Sequence, residues 1–204
     1  QVRGFNGSNA KVLQSNLNNA DESQNGPGDA FVSFDNDGFT VALGTGNWAG
    51  TNQSNQTYVA WCWKAGGAAV SNTDGTITSS VSASTTYGFS IVSYTGNSTS
   101  GATVGHGLSA APSFWILKSR STAGDWITRH TSIANTHYFK LNSADAAANP
   151  ISDVTGDADP TSTVIPIGDS DSNNNNVTYV GYVWSEVPGF SKFGSYTGVL
   201  HGVS

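Results

Sequence analysis

Tyr179-Val180-Gly181-Tyr182-Val183-Trp184 decides the fold, because Tyr58-Val59-Ala60-Trp61-Cys62-Trp63 repeats it at an offset of 121 (179 − 58). Both hexapeptides are built from the aromatic and β-branched residues that suit a half-buried strand. Each leads into a Gly-Phe-Ser segment that ends in Tyr-Thr-Gly: Gly88-Phe89-Ser90 with Tyr94-Thr95-Gly96, and Gly189-Phe190-Ser191 with Tyr196-Thr197-Gly198. Self-similarity of this kind marks a repeat architecture.

Working outward, Thr40-Val41-Ala42-Leu43-Gly44 loosely matches Thr163 to Gly168, and Asn9 to Leu13 can be laid on Asn135 to Phe139. Residues 88–188 then form one complete β unit. Residues 1–87 read as the end of an earlier unit, with an extra segment at about 65–84 that holds a strand over Thr76 to Val81. Residues 189–204 read as the start of a further unit or a specialised C-terminus. This phase suggests excision from a longer polypeptide. The Tyr58 to Trp63 and Tyr179 to Trp184 strands are expected in equivalent places of two superposable β units.

Period-2 alternation between turn formers predicts strands over Phe89 to Tyr94, Ser113 to Ser119, Asp125 to His130, His137 to Leu141, Thr163 to Ile167 and Val177 to Trp184. The fold class is all-β: antiparallel sandwich or jelly-roll-like, lectin-like modules in two related repeats. Composition agrees. Charged residues are 11% of the 204, against roughly 25% in an average domain, and Asn, Ser, Thr and Gly supply the polarity while weakening helix.

A net charge of −6 with eight scattered basic residues argues against nucleic acid, whose phosphates need clustered Lys and Arg. Apolar runs such as Phe114 to Leu117 fall far short of the roughly 20 residues of a membrane helix, so no membrane insertion is expected. Position 1 is Gln, with no charged region followed by an apolar one, and no signal peptide is expected. The single Cys62 cannot form an internal disulfide and is expected as a small core residue.

Catalytic signatures fail. There is no Gly-x-Ser-x-Gly or His-Glu-x-x-His, and Ser8 to Lys11 fits Ser-x-x-Lys without its companion motifs. Glu22 and Glu186, the only glutamates, sit in different repeat copies, so two-carboxylate glycoside hydrolysis would need aspartates. Asp125 beside Trp126 is the best candidate, with a turn role as the alternative. His106, His130, His137 and His201 lack zinc spacing. No cofactor is expected. Calcium is the alternative at Asp169-Ser170-Asp171-Ser172-Asn173, where Asn174 replaces the required glycine, or at Asp35-Asn36-Asp37-Gly38, which reads equally as a hairpin turn.

Trp61, Trp63, Trp115 and Trp184 lie in apolar strands and are expected in the core. Trp48 differs, because Gly44-Thr45-Gly46-Asn47-Trp48-Ala49-Gly50 is a loop of turn formers. An exposed ring beside Asn47 suits either a sugar or a subunit contact. Asn47, Trp48, Asp125 and Trp126 are the ligand-binding candidates, and no metal or catalytic residue is assigned.

Val2 to Ser8, Asp37 to Val41, Tyr58 to Gly67, Ser71 to Gly75, Gly88 to Gly96, Thr103 to Pro112, Lys118 to Arg120 and Gly194 to Gly198 together resemble the β repeat modules of virion-associated, tail- or fibre-like proteins of aquatic tailed phages. The resemblance covers nearly the whole chain and departs at Val199 to Ser204. It implies a non-enzymatic virion structural or adhesion module that contacts copies of itself, other virion proteins or host-surface polysaccharide. A carbohydrate-binding accessory domain or fragment of a secreted polysaccharide-degrading enzyme is the alternative. No catalytic residue is carried over, while Lys118, Arg120, Trp126 and His130 fall on positions that similar sequences often share.

Overall fold

The computed structural model describes residues 10–24, 31–43, 51–147 and 154–199. It is all-β, with no helix among the described residues, and its sheets pair antiparallel. The strands in chain order are β1 (Ala10–Val12), β2 (Glu22–Gln24), β3 (Phe31–Phe34), β4 (Phe39–Val41), β5 (Val70–Asn72), β6 (Ser79–Ser84) and β7 (Phe89–Thr95). There follow β8 (Thr103–Gly105), β9 (Phe114–Ser119), β10 (Ile127–His130), β11 (Phe139–Lys140), β12 (Val164–Pro166) and β13 (Thr178–Trp184).

A seven-stranded sheet in the order β11-β10-β9-β13-β7-β6-β5 is the scaffold. Strand β13, one of the deciding hexapeptides, lies at its centre, with Gly181 opposite Val92 of β7 and Leu117 of β9. Because side chains alternate across a strand, this register sorts the sheet into two faces. The inner face carries Val81, Val92, Leu117 and Ile127 in one cross-strand row and Tyr94 and Tyr179 in the next. These pack on Ile77, Ala102, Val104, Leu108, Val154, Ile165 and Ile167, contributed by the β8–β12 pair and its flanking loops. Two layers around one apolar core give a sandwich-like body.

The strands predicted over 89–94, 113–119, 125–130, 137–141, 163–167 and 177–184 all form, with ends displaced by at most two residues. The extra strand expected over Thr76 to Val81 forms three residues further along, as β6 (Ser79–Ser84). It pairs with β7 across the turn that holds the expected boundary after residue 87, so the same sheet runs through both sides of that boundary. Asp35 to Gly38 forms the hairpin turn joining β3 and β4, closed by Asp35 N–H to the Gly38 carbonyl at 2.9 Å.

The expectations for the first hexapeptide are overturned. Tyr58 to Trp63 forms no strand, and Tyr58, Val59, Trp61 and Trp63 are exposed. Cys62 is exposed too, and so is no core residue. Strand geometry needs neighbours on which to complete a hydrogen-bond ladder. Tyr179 to Trp184 has them on both sides, whereas no strand flanks 58–63 among the described residues.

The turns that precede the two hexapeptides are nevertheless built alike. Gln53 N–H donates to the Tyr58 hydroxyl at 2.8 Å, and Asn174 N–H donates to the Tyr179 hydroxyl at 2.9 Å. Gln56 N–H reaches the Gln53 carbonyl as Val177 N–H reaches that of Asn174. Asn55 and Asn176 both adopt positive φ, a conformation that Asn tolerates better than most residues.

Candidate functional site

The outer face of the seven-stranded sheet is graded from aromatic to polar by the cross-strand register. At one end Ser84, Phe89, Trp184, Phe114 and His130 align across five strands. Trp184 lies at the middle of a ring cluster, 5.0 Å from Phe89, 5.3 Å from Phe114 and 5.8 Å from Trp63, which meets it edge-on. Phe193 stacks on Phe114 at 5.8 Å. In the chain leading to Trp63, the side chains of Tyr58, Val59 and Trp61 are exposed.

Two residues further along each strand, Ser82, Ile91, Tyr182, Ile116 and Thr128 form a mixed row. Burial pushes the Tyr182 phenol up to about 12, partly offset by the charge of Arg120. The next row is Ser71, Ser80, Ser93, Val180 and Lys118. Ser71, Thr78, Ser80, Ser93, Thr95, Thr178 and Arg120 border a shallow, hydroxyl-rich groove at this end.

The polar end is closed by the segment between β1 and β2. The Trp126 indole N–H donates to the carbonyls of Gln14 and Leu17, both at 3.0 Å. Gly124 N–H donates to the Asn18 carbonyl, and Asp21 N–H to that of Arg120, each at 2.8 Å. The Arg120 guanidinium holds the Asp21 carboxylate at 2.9 Å, and Lys11 approaches the same carboxylate at 3.6 Å. Lys118 is buried. Its ammonium donates to the Ser119 carbonyl at 2.8 Å and reaches that of Asn18 at 3.4 Å. Burial lowers its pKa, opposed by the charges of Asp125 and Asp21. Three of the four positions singled out by the resemblance thus grip one segment, and Asp21, their acidic partner, carried no sequence signal.

Asn47 and Trp48 lie outside the described residues. Asp125 and Trp126 are adjacent but form a structural corner. Asn142 donates to Asp125 at 2.9 Å and accepts the Trp126 N–H at 3.0 Å, while Lys140 pairs with Asp125 at 2.7 Å. The hydrogen bond from Asn142, then that from Lys140, holds the Asp125 carboxyl below its ordinary range. A residue kept ionised in this way suits an ion pair and not a proton donor. Trp126 is 5% exposed, so it offers no open ring for a sugar to stack on.

Trp115 is buried as expected, with the Arg129 guanidinium 5.4 Å above its ring. Trp61 and Trp63 are exposed, against expectation, and Trp184 is half-buried. Sequence alternation marks these rings as strand residues, but does not decide which of them the sheet covers.

In the Asp169 to Asn173 loop, Ser172 and Asn173 are buried. The Ser172 hydroxyl donates to the Val154 carbonyl at 2.7 Å, its own carbonyl accepts the Tyr94 hydroxyl at 2.6 Å, and the Asn173 amide ties down Asn97 and Thr99. In the other acidic loop, Asp35 accepts the hydroxyls of Ser33 and Thr40. Among the described residues no three His, Cys, Asp or Glu side chains gather as a metal site, and no helix is long and apolar enough to cross a membrane.

No curated protein and no solved structure matches the chain. The family model described as a domain of unknown function matches residues 1–201, and the chain therefore belongs to the DUF7483 family.

Proposed function

We propose that this chain is a non-enzymatic structural and adhesion module of a phage virion, associated with the tail or particle surface. It contacts neighbouring subunits and, through its polar end, host-surface glycan. The observation that carries the reading is the exposed apolar run of Tyr58, Val59, Trp61 and Trp63, in which Trp63 meets the Trp184 cluster. Contiguous exposed apolar surface of this kind marks an interaction site. The repeated sequence pattern supports presentation in several copies, and the hydroxyl-rich groove beside Arg120 supplies the donors and acceptors that a polysaccharide uses.

Immunoelectron microscopy of particles that carry the chain tests the location, with label expected on the tail or outer surface. Unlabelled intact particles would defeat the virion reading. That same groove also suits the carbohydrate-binding accessory domain of a secreted polysaccharide-degrading enzyme. Incubation with algal and bacterial polysaccharides should release no new reducing ends from the module alone. Their release would establish catalysis and overturn the non-enzymatic reading.

A further inference from the structure

We propose that residues 189–198 of one copy of this chain add as a strand to Tyr58–Trp63 of a second copy, joining copies head to tail. The inference rests on the reading of the chain as an assembling β module and names its contact.

The template is the observed pairing of β7 with β13. These run antiparallel with Phe89 opposite Trp184, Ser90 opposite Val183 and Tyr94 opposite Tyr179. Each partner in this pair has a second version in the chain: 58–63 repeats 179–184, and Gly189-Phe190-Ser191 to Tyr196-Thr197-Gly198 repeats Gly88 to Gly96. Neither second version is in the sheet, and Trp61 is 77% and Tyr196 95% exposed. The chain therefore displays both halves of a strand pair whose complementarity it demonstrates elsewhere.

Two further observations show the halves prepared for pairing. The turn entering Tyr58 already has the hydrogen bonds and the left-handed Asn of the turn entering Tyr179, so the direction in which the strand must leave is set. At the other half, a Cβ on Gly96 would collide with the Asn174 carbonyl in the turn that enters β13, whereas a Cβ on Gly198 would meet nothing within 4 Å. The glycine of Tyr-Thr-Gly is required where the motif is paired, and Gly198 stands ready for the same approach.

Within one molecule the donor half does not take the template register, because Ser191 exchanges both main-chain bonds with Val187 and Phe190 packs on Tyr87. The partner is therefore a second copy, and pairing opens the Val187–Ser191 bridge. Trp63 sits on the β7 side of Trp184, against Phe89, whereas Phe193 stacks on Phe114 on the β9 side and donates its N–H to Glu186. Carrying the template register over sets Phe190 opposite Trp63, Ser191 opposite Cys62 and Tyr196 opposite Tyr58. Four residues, Lys192 to Ser195, span what Ile91 to Ser93 span in β7, and a bulge absorbs the extra one. This is strand addition with main-chain bonds for affinity and alternate side chains for selectivity. Donor and acceptor are different surfaces, so the contact is heterologous and propagates.

Cys62 is the only cysteine and is exposed, which makes the register testable. Facing residues of an antiparallel pair lie within disulfide range. Under mild oxidation Ser191→Cys should therefore give a ladder of disulfide-linked dimers and higher species on non-reducing gels. The ladder should vanish in Ser191→Cys/Cys62→Ser and be weak in Lys192→Cys, whose side chain faces the other way. Ala60→Pro, at an exposed position, removes the N–H that its counterpart Gly181 directs at β7 in the template, and should abolish both the ladder and self-association while leaving the melting temperature unchanged. Sedimentation is run in parallel. An oligomer without the selective cross-link overturns the strand exchange and leaves the assembly reading standing, and a monomer at every concentration overturns both. A faster-migrating cross-linked monomer shows that the two halves meet within one chain and overturns the second-copy assignment.

Discussion

Asn55 and Asn176 hold the same left-handed backbone, at φ 63° and 60°, at equivalent places before the two Tyr-Val hexapeptides. A residue with a Cβ costs about 1 kcal/mol or more there, and Asn and Gly escape most of it. Asn176→Ala should destabilise the chain by about 1 kcal/mol, and Asn176→Gly should be near neutral. Asn55→Ala carries the same local strain but feeds no strand of the sheet, so its melting temperature should hardly move. Equal losses at both sites would show that 51–63 unfolds with the core.

The segment between β1 and β2 is held at its end by Asp21 with Arg120 and at its middle by Trp126. Trp126→Phe keeps most of the ring but leaves two carbonyls without their donor, costing about 1 kcal/mol. Trp126→Ala should cost roughly 3 to 5 kcal/mol, as buried aromatics do. Limited proteolysis should cut residues 13–21 faster in Trp126→Phe and Asp21→Ala than in the parent, and unchanged cutting would refute the latch.

Alkaline pH should unfold the protein through its tyrosines. Burial, then the neighbouring Tyr179, raises the Tyr94 phenol well above its ordinary value, and burial takes Tyr182 to about 12. Their folded pKa values exceed the unfolded value near 10, so this stabilisation is complete below about pH 10 and is lost as pH rises towards about 12. Tyrosinate absorbance at these sites should appear only together with loss of the fold. Tyr94→Phe, which removes the 2.6 Å bond to Ser172, should cost about 1 to 2 kcal/mol and move the alkaline limb upward. Ionisation of every tyrosine in the intact fold would contradict the burial argument.

Acid acts through His106. Its ring is buried, with Nε2 3.2 Å from the Thr161 carbonyl and Nδ1 accepting the Leu108 N–H at 3.2 Å. Burial lowers its pKa, against the raising effects of the Thr161 bond and Asp74. A depressed histidine gives stability that is present above the usual value near 6.5 and lost as pH falls through the folded value. Melting curves from neutral to mildly acidic pH should therefore fall, and His106→Gln should flatten that fall. An unchanged acid limb in the variant would assign the effect to other groups.

The sequence by itself determined the all-β class, because Ser-, Asn-, Thr- and Gly-rich composition disfavours helix and the alternation of Phe89 to Thr95, Phe114 to Ser119 and Thr178 to Trp184 is local information. It also exposed the correspondence of Tyr58–Trp63 with Tyr179–Trp184, and the structure builds the turns before them alike. Only the tertiary structure decided that one copy becomes the central strand and the other stays outside the sheet. Strand formation depends on partners brought from far along the chain, Phe89 to Thr95 and Phe114 to Ser119 for β13, and a hexapeptide does not encode whether they arrive. The site followed the same rule. The rings of Phe89, Phe114 and Trp184 are spaced for a strand face in the sequence, yet their alignment into one row comes from register. The grip of Lys118, Arg120 and Trp126 on residues 14–21 joins segments about a hundred positions apart, where hydrogen bonds between side chains and backbone leave no periodic trace.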